Sequence, residues 1–175
     1  MNPQTGGNSN NNFLIRHITK NDAQGICGIY NYYILNSTIS FEERPVSISG
    51  MEKRIQEVTV DYPWFVLEQA GEIAGYTYAN KWRERIAYRY SAELSIYLKN
   101  GLEGQGMGTA LMTHILNELK KTNLHYLLSG ITLPNDRSVA LHEKFGFTKA
   151  AHLHEVGFKK EKWLDVGYWE LVLRK

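Results

Sequence analysis

The run Gly101-Leu102-Glu103-Gly104-Gln105-Gly106-Met107-Gly108-Thr109 alternates glycines at 104, 106 and 108 immediately before a helix-forming stretch. Glycines let successive backbone amides converge with no Cβ in the way. A helix N-terminus adds free N–H groups and about half a positive charge. A pyrophosphate fits such a site. The loop is not a Walker A motif, because Met107 rather than Lys follows Gly106. Nor is it the dinucleotide fingerprint G-x-G-x-x-G, whose last glycine would fall at Thr109 or Leu111. Gly101-x-x-Gly104 has the KH spacing but no basic residue inside it. Just upstream, Glu93 lies where Ala92, Leu94, Ile96 and Leu98 alternate with Glu93, Ser95 and Tyr97. A carboxylate in mid-strand is costly to bury without a partner or a role. The partner would be Arg85 or Arg89, and the role a proton acceptor. Downstream, Asn135, Ser138 and His142 fall at i, i+3 and i+7, giving one polar helix face beside the apolar pair Leu141 and Phe145.

These residues need a scaffold of strand, turn and helix in succession, and the flanking patterns supply it. Residues 13–18 read as a strand. Thr19 and Asp22 have capping-box-like spacing, and Ile26, Ile29, Tyr30 and Tyr33 recur at helical intervals to about Asn36. Residues 37–41 are short and strand-like, and Pro45 ends them. Ser47 caps a second helix running to about Val60, with Met51, Ile55 and Val58 inward. Residues 64–68 and 73–79 form a hairpin, followed by a strand over 88–98. The helix after the glycine loop turns Leu111, Met112, Ile115, Leu116 and Leu119 to one side, with Lys120 and Lys121 at its negative end. A strand over 125–131, a short helix from Asn135 to Phe145 capped by Gly146, and strands over 148–156 and 165–173 complete the order. A helix between the strands ending at Leu98 and beginning at His125 implies a right-handed parallel crossover, whereas the hairpin is antiparallel. The expected fold class is α/β (α+β): a mixed, mostly antiparallel sheet with helices on both faces.

A length of 175 residues suits one domain. Residues 1–12 carry neither a charged side chain nor an apolar core, so they read as a polar, disorder-prone leader, not a secretory signal. The expected domain is then 13–175. No apolar run is long enough to cross a membrane as a helix. The net charge of +2 is too small for a dedicated nucleic-acid binder. Cys27 is the sole cysteine, so it forms no intramolecular disulfide; it reads as core, and the expected compartment is the reducing cytoplasm. His152 and His154 have a metal-like spacing, but no third ligand is near in sequence and no metal is expected.

The loop E-G-Q-G-M-G-T-A-L after A-E-L-S-I-Y-L resembles the acetyl-CoA motif of the GNAT N-acetyltransferases, and N-D-R-S-V-A-L-H-E-K-F-G-F resembles their second CoA-contacting segment. Ser37-Thr38-Ile39-Ser40-Phe41, Asp61-Tyr62-Pro63-Trp64, Trp82 with Arg85 and Tyr88, Leu133-Pro134-Asn135-Asp136, and the ending from Gly157-Phe158-Lys159 to Tyr168-Trp169 resemble its phosphinothricin/methionine sulfoximine acetyltransferase branch.

The resemblance spans about Leu14 to Leu173. It implies acetyl-CoA held by Ile96, Tyr97 and Leu98 on the strand, by Gly104, Gln105, Gly106, Met107, Gly108 and Thr109 in the loop, and by Asn135 and Ser138. It implies Glu93 as the base toward the substrate ammonium and His142 as the acid toward the departing thiolate. An imidazolium of pKa about 6.5 can protonate a thiolate whose thiol pKa is about 8.5. A backbone N–H within residues 95–98 would stabilise the oxyanion. Phe41, Arg85, Tyr88 and Arg89 would bind an amino-acid substrate, arginine offering a fork for its carboxylate. A homodimer is also implied, with Trp163, Tyr168 and Trp169 as apolar surface. One residue departs from the pattern: Glu103 stands where these loops usually carry Arg or Gln, and it is expected to point to solvent. Acetylation of a protein N-terminus or a polyamine, and non-catalytic acyl-CoA sensing, are the alternatives.

Overall fold

The structure, a computed structural model, describes residues 13–173; the leader lies outside the described residues. Strand β1 (Phe13–His17) leads into Thr19, where the capping box closes. Asp22 accepts from Thr19 N at 2.7 Å and takes both Arg16 guanidinium nitrogens at 2.8 Å, so its carboxyl is held below the usual range, mainly by Arg16. The box opens a 3₁₀ turn before α1 (Ala23–Asn36) begins. Residues 37–41 form an irregular loop, not a strand. Ser47 accepts from Gly50 N and caps α2 (Ile48–Val58), which stops short of Val60. A hairpin of β2 (Trp64–Gln69) and β3 (Glu72–Lys81) follows.

The next strand, β4 (Ser91–Leu98), starts later than its β-branched and aromatic composition suggests, because residues 86–88 turn as a 3₁₀ segment. Helix α3 (Met107–Leu119), β5 (Tyr126–Leu133), α4 (Asp136–Lys144), β6 (Thr148–Lys159) and β7 (Lys162–Val172) complete the chain. The last two strands form a longer hairpin than the alternation alone indicates.

The seven strands form one sheet in the order β1-β2-β3-β4-β5-β7-β6, antiparallel except for β4 beside β5. Helices α1 and α2 cover one face, where Ile26, Ile29, Tyr33, Met51 and Ile55 pack on Trp64, Val66 and Tyr76. Helix α3 covers the other with Met112, Ile115 and Leu119, and Val139 and Leu141 of α4 join that cluster. Trp169 is core, 2% exposed, whereas Trp163 is 62% exposed. No helix among the described residues is long and apolar enough to span a membrane.

Candidate active site

Strands β4 and β5 pair only at Ser91–Tyr126, Ala92–Leu127 and Glu93–Leu128, then separate. Ser129 Oγ donates to Leu94 O at 3.1 Å as the last link between them. Beyond it the strands form the walls of a groove of about 810 Å³, lined by residues 94–98 of one and 129–132 of the other. That volume suits an organic ligand of some size. On β4 the open edge carries the carbonyls of Leu94 and Leu98, the latter accepting from Tyr33 OH at 2.8 Å. Ser95 O and Lys99 N face β3 instead. Alternation along the strand therefore turns the Ile96 N–H into the groove.

Glu93, half-buried, is the last paired residue of β4 before the strands part and is not itself among the residues lining the groove. Its Oε1 faces Gly130 of β5, 3.5 Å from where a Cβ would be. Among the described residues it makes no ion pair with Arg85 or Arg89, and desolvation alone raises its pKa above the carboxylate norm. It is therefore a better proton acceptor near neutrality than an exposed carboxylate.

His142 lies across the groove and is 2% exposed. Its Nδ1 is 2.7 Å from Ser138 O. A carbonyl only accepts, so Nδ1 carries the proton and Nε2 presents a lone pair. That Nε2 is buried without a partner. Burial lowers the imidazole pKa below its usual 6.5, against the opposing Ser138 bond. The resting ring is thus neutral rather than an imidazolium. The neutral ring accepts at Nε2 and has no proton there to give until it takes one.

The glycine loop has the geometry a phosphate needs. Gly101, Gly104 and Gly106 have φ of +89, +80 and +83°, and Gly106 is the N-cap of α3. A side chain at such φ values is strained, and the turn leaves the first amides of the helix open. Gly104, Gly106, Gly108 and Thr109 line the groove. Met107 does not line the groove; its side chain packs with Leu67 and Leu111. Gln105 does not line the groove. Asn135 lines the groove, and its Oδ1 is used internally, accepting from Ser138 N at 3.2 Å to cap α4. Glu103 does not point to solvent: it accepts from Gly101 N at 3.1 Å and pairs with Arg137 at 3.4 Å.

The segments expected to meet the acceptor are assembled differently. Phe41 is exposed and its ring sits on Gly157, where a Cβ would collide with it. The Lys159 ammonium, 5% exposed, donates to Ile34 O at 2.8 Å and Ser40 O at 2.6 Å, fastening the 37–41 loop to β6. Ser37 and Ile39 of that loop line the groove; Phe41 does not. Arg85, Tyr88 and Arg89 occupy the β3–β4 connection at the Glu93 end of the sheet, and none lines the groove. Tyr88 meets Trp82 edge-on at 5.0 Å, and Arg89 stacks on Tyr90 at 4.4 Å. A second cavity of about 540 Å³ lies between α2 and Tyr78 and Asn80 of β3, the strand paired with β4 at Glu93. Glu42, Glu57, Asp61 and Glu84 line it with Arg54 and Lys81, and Glu42 holds Arg54 at 2.7 Å.

Among the groove residues that sequence reasoning missed are Tyr33, Ser129, Gly130, Arg137 and Lys144; from sequence Tyr33 reads only as helical core. The fold also gives His152 and His154 a third neighbour absent from local sequence. Asp165 Oδ2 is 2.7 Å from His152 Nε2 and 3.2 Å from His154 Nδ1. Lys149 Nζ occupies His152 Nδ1 at 3.2 Å, so Nε2 bears the proton toward Asp165. The trio is a hydrogen-bonded cluster in this structure. Cys27 is core, 6% exposed.

A profile of the acetyltransferase (GNAT) domain matches residues 15–167. The phosphinothricin N-acetyltransferase of Streptomyces viridochromogenes is 35% identical over 156 residues, covering 89% of this chain and 85% of its own. The L-methionine sulfoximine/L-methionine sulfone acetyltransferase of Salmonella typhimurium is 31% identical, covering 91% and 94%. A putative acetyltransferase of Salmonella typhimurium, solved with its cofactor acetyl-CoA, superposes with a TM-score of 0.90 at 30% identity, covering 94% of this chain and 95% of its own.

Proposed function

The chain belongs to the acetyltransferase (GNAT) domain family, and from that premise we propose that residues 13–175 form a single catalytic domain acting on the α-amine of a small amino acid or analogue. The analogues are of the methionine sulfoximine, methionine sulfone or phosphinothricin type. The protein is an N-acetyltransferase with acetyl-CoA as cosubstrate. The observation that carries the reading is the parting of β4 from β5 with a desolvated carboxylate at its apex.

Acetyl-CoA supplies a thioester carbon open to amine attack and a thiolate that leaves. The open amides at the start of α3 receive its pyrophosphate, and the walls formed by Ile96, Tyr97 and Leu98 take the pantetheine arm. The Asn135 amide and Ser138 bond that arm from the facing helix. Glu93 takes a proton from the acceptor's ammonium. The Ile96 N–H donates to the carbonyl oxygen as negative charge develops there, where a fixed donor acts most strongly. His142 Nε2 receives the proton that the amine nitrogen releases as the new amide forms, then returns it to the leaving sulfur. Base and acid roles thus follow each other on one ring.

Phe41, Arg85, Tyr88 and Arg89 contact the acceptor from their two loops, the arginines toward its carboxylate and phosphinyl or sulfonyl oxygens. The four carboxylates around the second cavity favour a cationic amine instead, so a polyamine is the competing acceptor. The test is thiol release from acetyl-CoA with methionine sulfoximine, methionine sulfone, phosphinothricin and spermidine. Turnover on the amino-acid analogues and little on spermidine is expected; preference for spermidine over every analogue overturns the reading.

The protein is further proposed to work in the cytoplasm as a homodimer. Leu153, Val156, Phe158 and Trp163, 40–62% exposed on the β6–β7 hairpin, support the dimer. Light scattering should return twice the 20.1 kDa chain mass; the chain mass itself at micromolar concentration contradicts it.

A further inference from the structure

The β6–β7 hairpin carries a cluster of side chains that acetyl transfer does not use. His152 and His154 are two residues apart on β6, so both point to one face of the strand. His152 pairs with Gly167 of β7, which puts no side chain in the way. Asp165 lies two residues before that glycine and shares its face. The register shifts between Leu153 and Gly157, so residues 154–156 of β6 stand opposite Asp165 alone. Within this bulge Glu155 has a φ of +49° and donates its N–H to Asp165 Oδ1 at 2.8 Å. The other carboxylate oxygen, Oδ2, is thereby held toward the imidazoles, 2.7 Å from His152 Nε2 and 3.2 Å from His154 Nδ1. The two rings stack at 4.2 Å, and the three ligand atoms all lie within 4.8 Å of one another. Among the described residues no other three His, Cys, Asp or Glu side chains converge in this way. None of the three lines the groove.

The geometry points to a binding site for a divalent metal ion of the zinc type, held by His152 Nε2, His154 Nδ1 and Asp165 Oδ2, with water on the remaining positions. Two imidazoles and a carboxylate suit zinc and its transition-metal neighbours, whereas magnesium and calcium take oxygen donors. Metal–ligand bonds of about 2.0–2.2 Å in a tetrahedron set the ligand atoms roughly 3.4 Å apart. The contacts of 2.7 and 3.2 Å need to open slightly, and the imidazole nitrogens, no more than 4.8 Å apart, need to close. Side-chain rotation supplies both movements, since the His152, His154 and Asp165 side chains are 33%, 77% and 32% exposed. To ligate, each ring carries its proton on the opposite nitrogen. In His152 that is Nδ1, so the exposed Lys149, which meets Nδ1 at 3.2 Å, turns away. The ion then fastens the edge strand β6 to β7 across the bulge.

The test is calorimetric titration of Zn²⁺ and of Mg²⁺ into the metal-stripped full chain, as wild type, His152→Gln, His154→Gln and Lys149→Gln. The wild type should bind one Zn²⁺ per chain and no Mg²⁺, and Co²⁺ in place of Zn²⁺ should give visible absorption bands of a nitrogen- and oxygen-ligated ion. Loss of either histidine should weaken Zn²⁺ at least tenfold. Lys149→Gln should tighten it a few-fold, because a positive charge next to the ligating ring is removed. Zn²⁺ at about a hundred times its Kd should raise the wild-type melting temperature by about 5–10 °C. His154→Gln should show no such rise, while its metal-free melting temperature stays at the wild-type value because the side chain is exposed. Equal Zn²⁺ affinity in the wild type and both histidine variants would overturn the inference. So would Mg²⁺ binding as tight as Zn²⁺ binding, which marks simple attraction to a carboxylate. Weaker Zn²⁺ binding in Lys149→Gln would overturn the assignment of His152 as a ligand.

Discussion

The two ends of the groove are built from different materials. The cofactor end is mostly backbone: three glycines at positive φ, the open amides of α3 and one strand edge, all within residues 94–109. The acceptor end is proposed to be side chains drawn from distant segments, most of them outside the groove lining itself. In that proposal Glu93 comes from β4, Phe41 from the α1–α2 loop and Arg85 and Tyr88 from the β3–β4 connection, while Lys159 of β6 secures the Phe41 loop. A site made of consecutive backbone tolerates side-chain change and fails when backbone freedom is lost. A site made of converging side chains fails one group at a time. Substitutions should therefore separate the two ends cleanly.

The largest separation is expected at the apex. Glu93→Gln keeps shape and hydrogen bonding but removes the basic site. Its kcat should fall about 10²–10⁴-fold, the usual worth of general acid–base catalysis, while calorimetric acetyl-CoA affinity is retained. Near-normal turnover would return Glu93 to a structural role.

At the cofactor end the opposite split is expected. Gly106→Val places a β-branched side chain at φ +83° and over the amides, so acetyl-CoA binding should weaken by roughly 10²-fold. Unchanged affinity by calorimetry would move the phosphate site elsewhere.

His142→Phe should lower kcat about tenfold at neutral pH, and the loss should shrink as pH rises, because a thiolate of thiol pKa about 8.5 then leaves with less penalty. A loss that grows with pH would mean that the ring does not deliver the proton to the leaving sulfur. The same residue has a stability signature. Its folded pKa is lowered, so the unfolded chain binds the proton more readily, and stability drains as pH falls below about 6.5. Melting curves of His142→Phe should lack that contribution.

The smallest effect is expected at Lys159→Met, which leaves two buried carbonyls without their donor. Acceptor KM should rise a few-fold with acetyl-CoA KM unaltered, and the melting temperature should drop. Equal changes in both KM values would mean general loosening.

The same contrast explains what could be read from residues alone. The glycine loop was legible because its function lies in consecutive backbone, and a run of glycines before a helix is a local signal. The alternation of β4 and the crossover to β5 were legible for the same reason. The opening between those strands was not, because it depends on where pairing stops after Glu93–Leu128. Residues 37–41 looked strand-like from Thr38 and Ile39, but tertiary bonds to Lys159 and Thr132 decided their conformation. The direction of Glu103 rested on Gly101 N and on Arg137 from a distant helix, and the protonated nitrogen of His142 on the backbone carbonyl of Ser138 one turn earlier, partners that residue types alone do not specify. Asp165 reached the two histidines only through the register of β6 on β7.

The pH dependence of kcat/KM for the amino-acid acceptor, measured on the wild type and on Glu93→Gln, tests the central claim most directly. Desolvation raises the Glu93 pKa, and a base must be deprotonated to act, so activity falls as pH drops through that raised value. The wild-type profile should show an acid limb lying above the ordinary carboxylate pKa of about 4.3. In Glu93→Gln the rate should be low and the limb altered, keeping only the part that protonation of His142 contributes. An identical acid limb in both proteins would contradict the account, because the titrating base would then be another group.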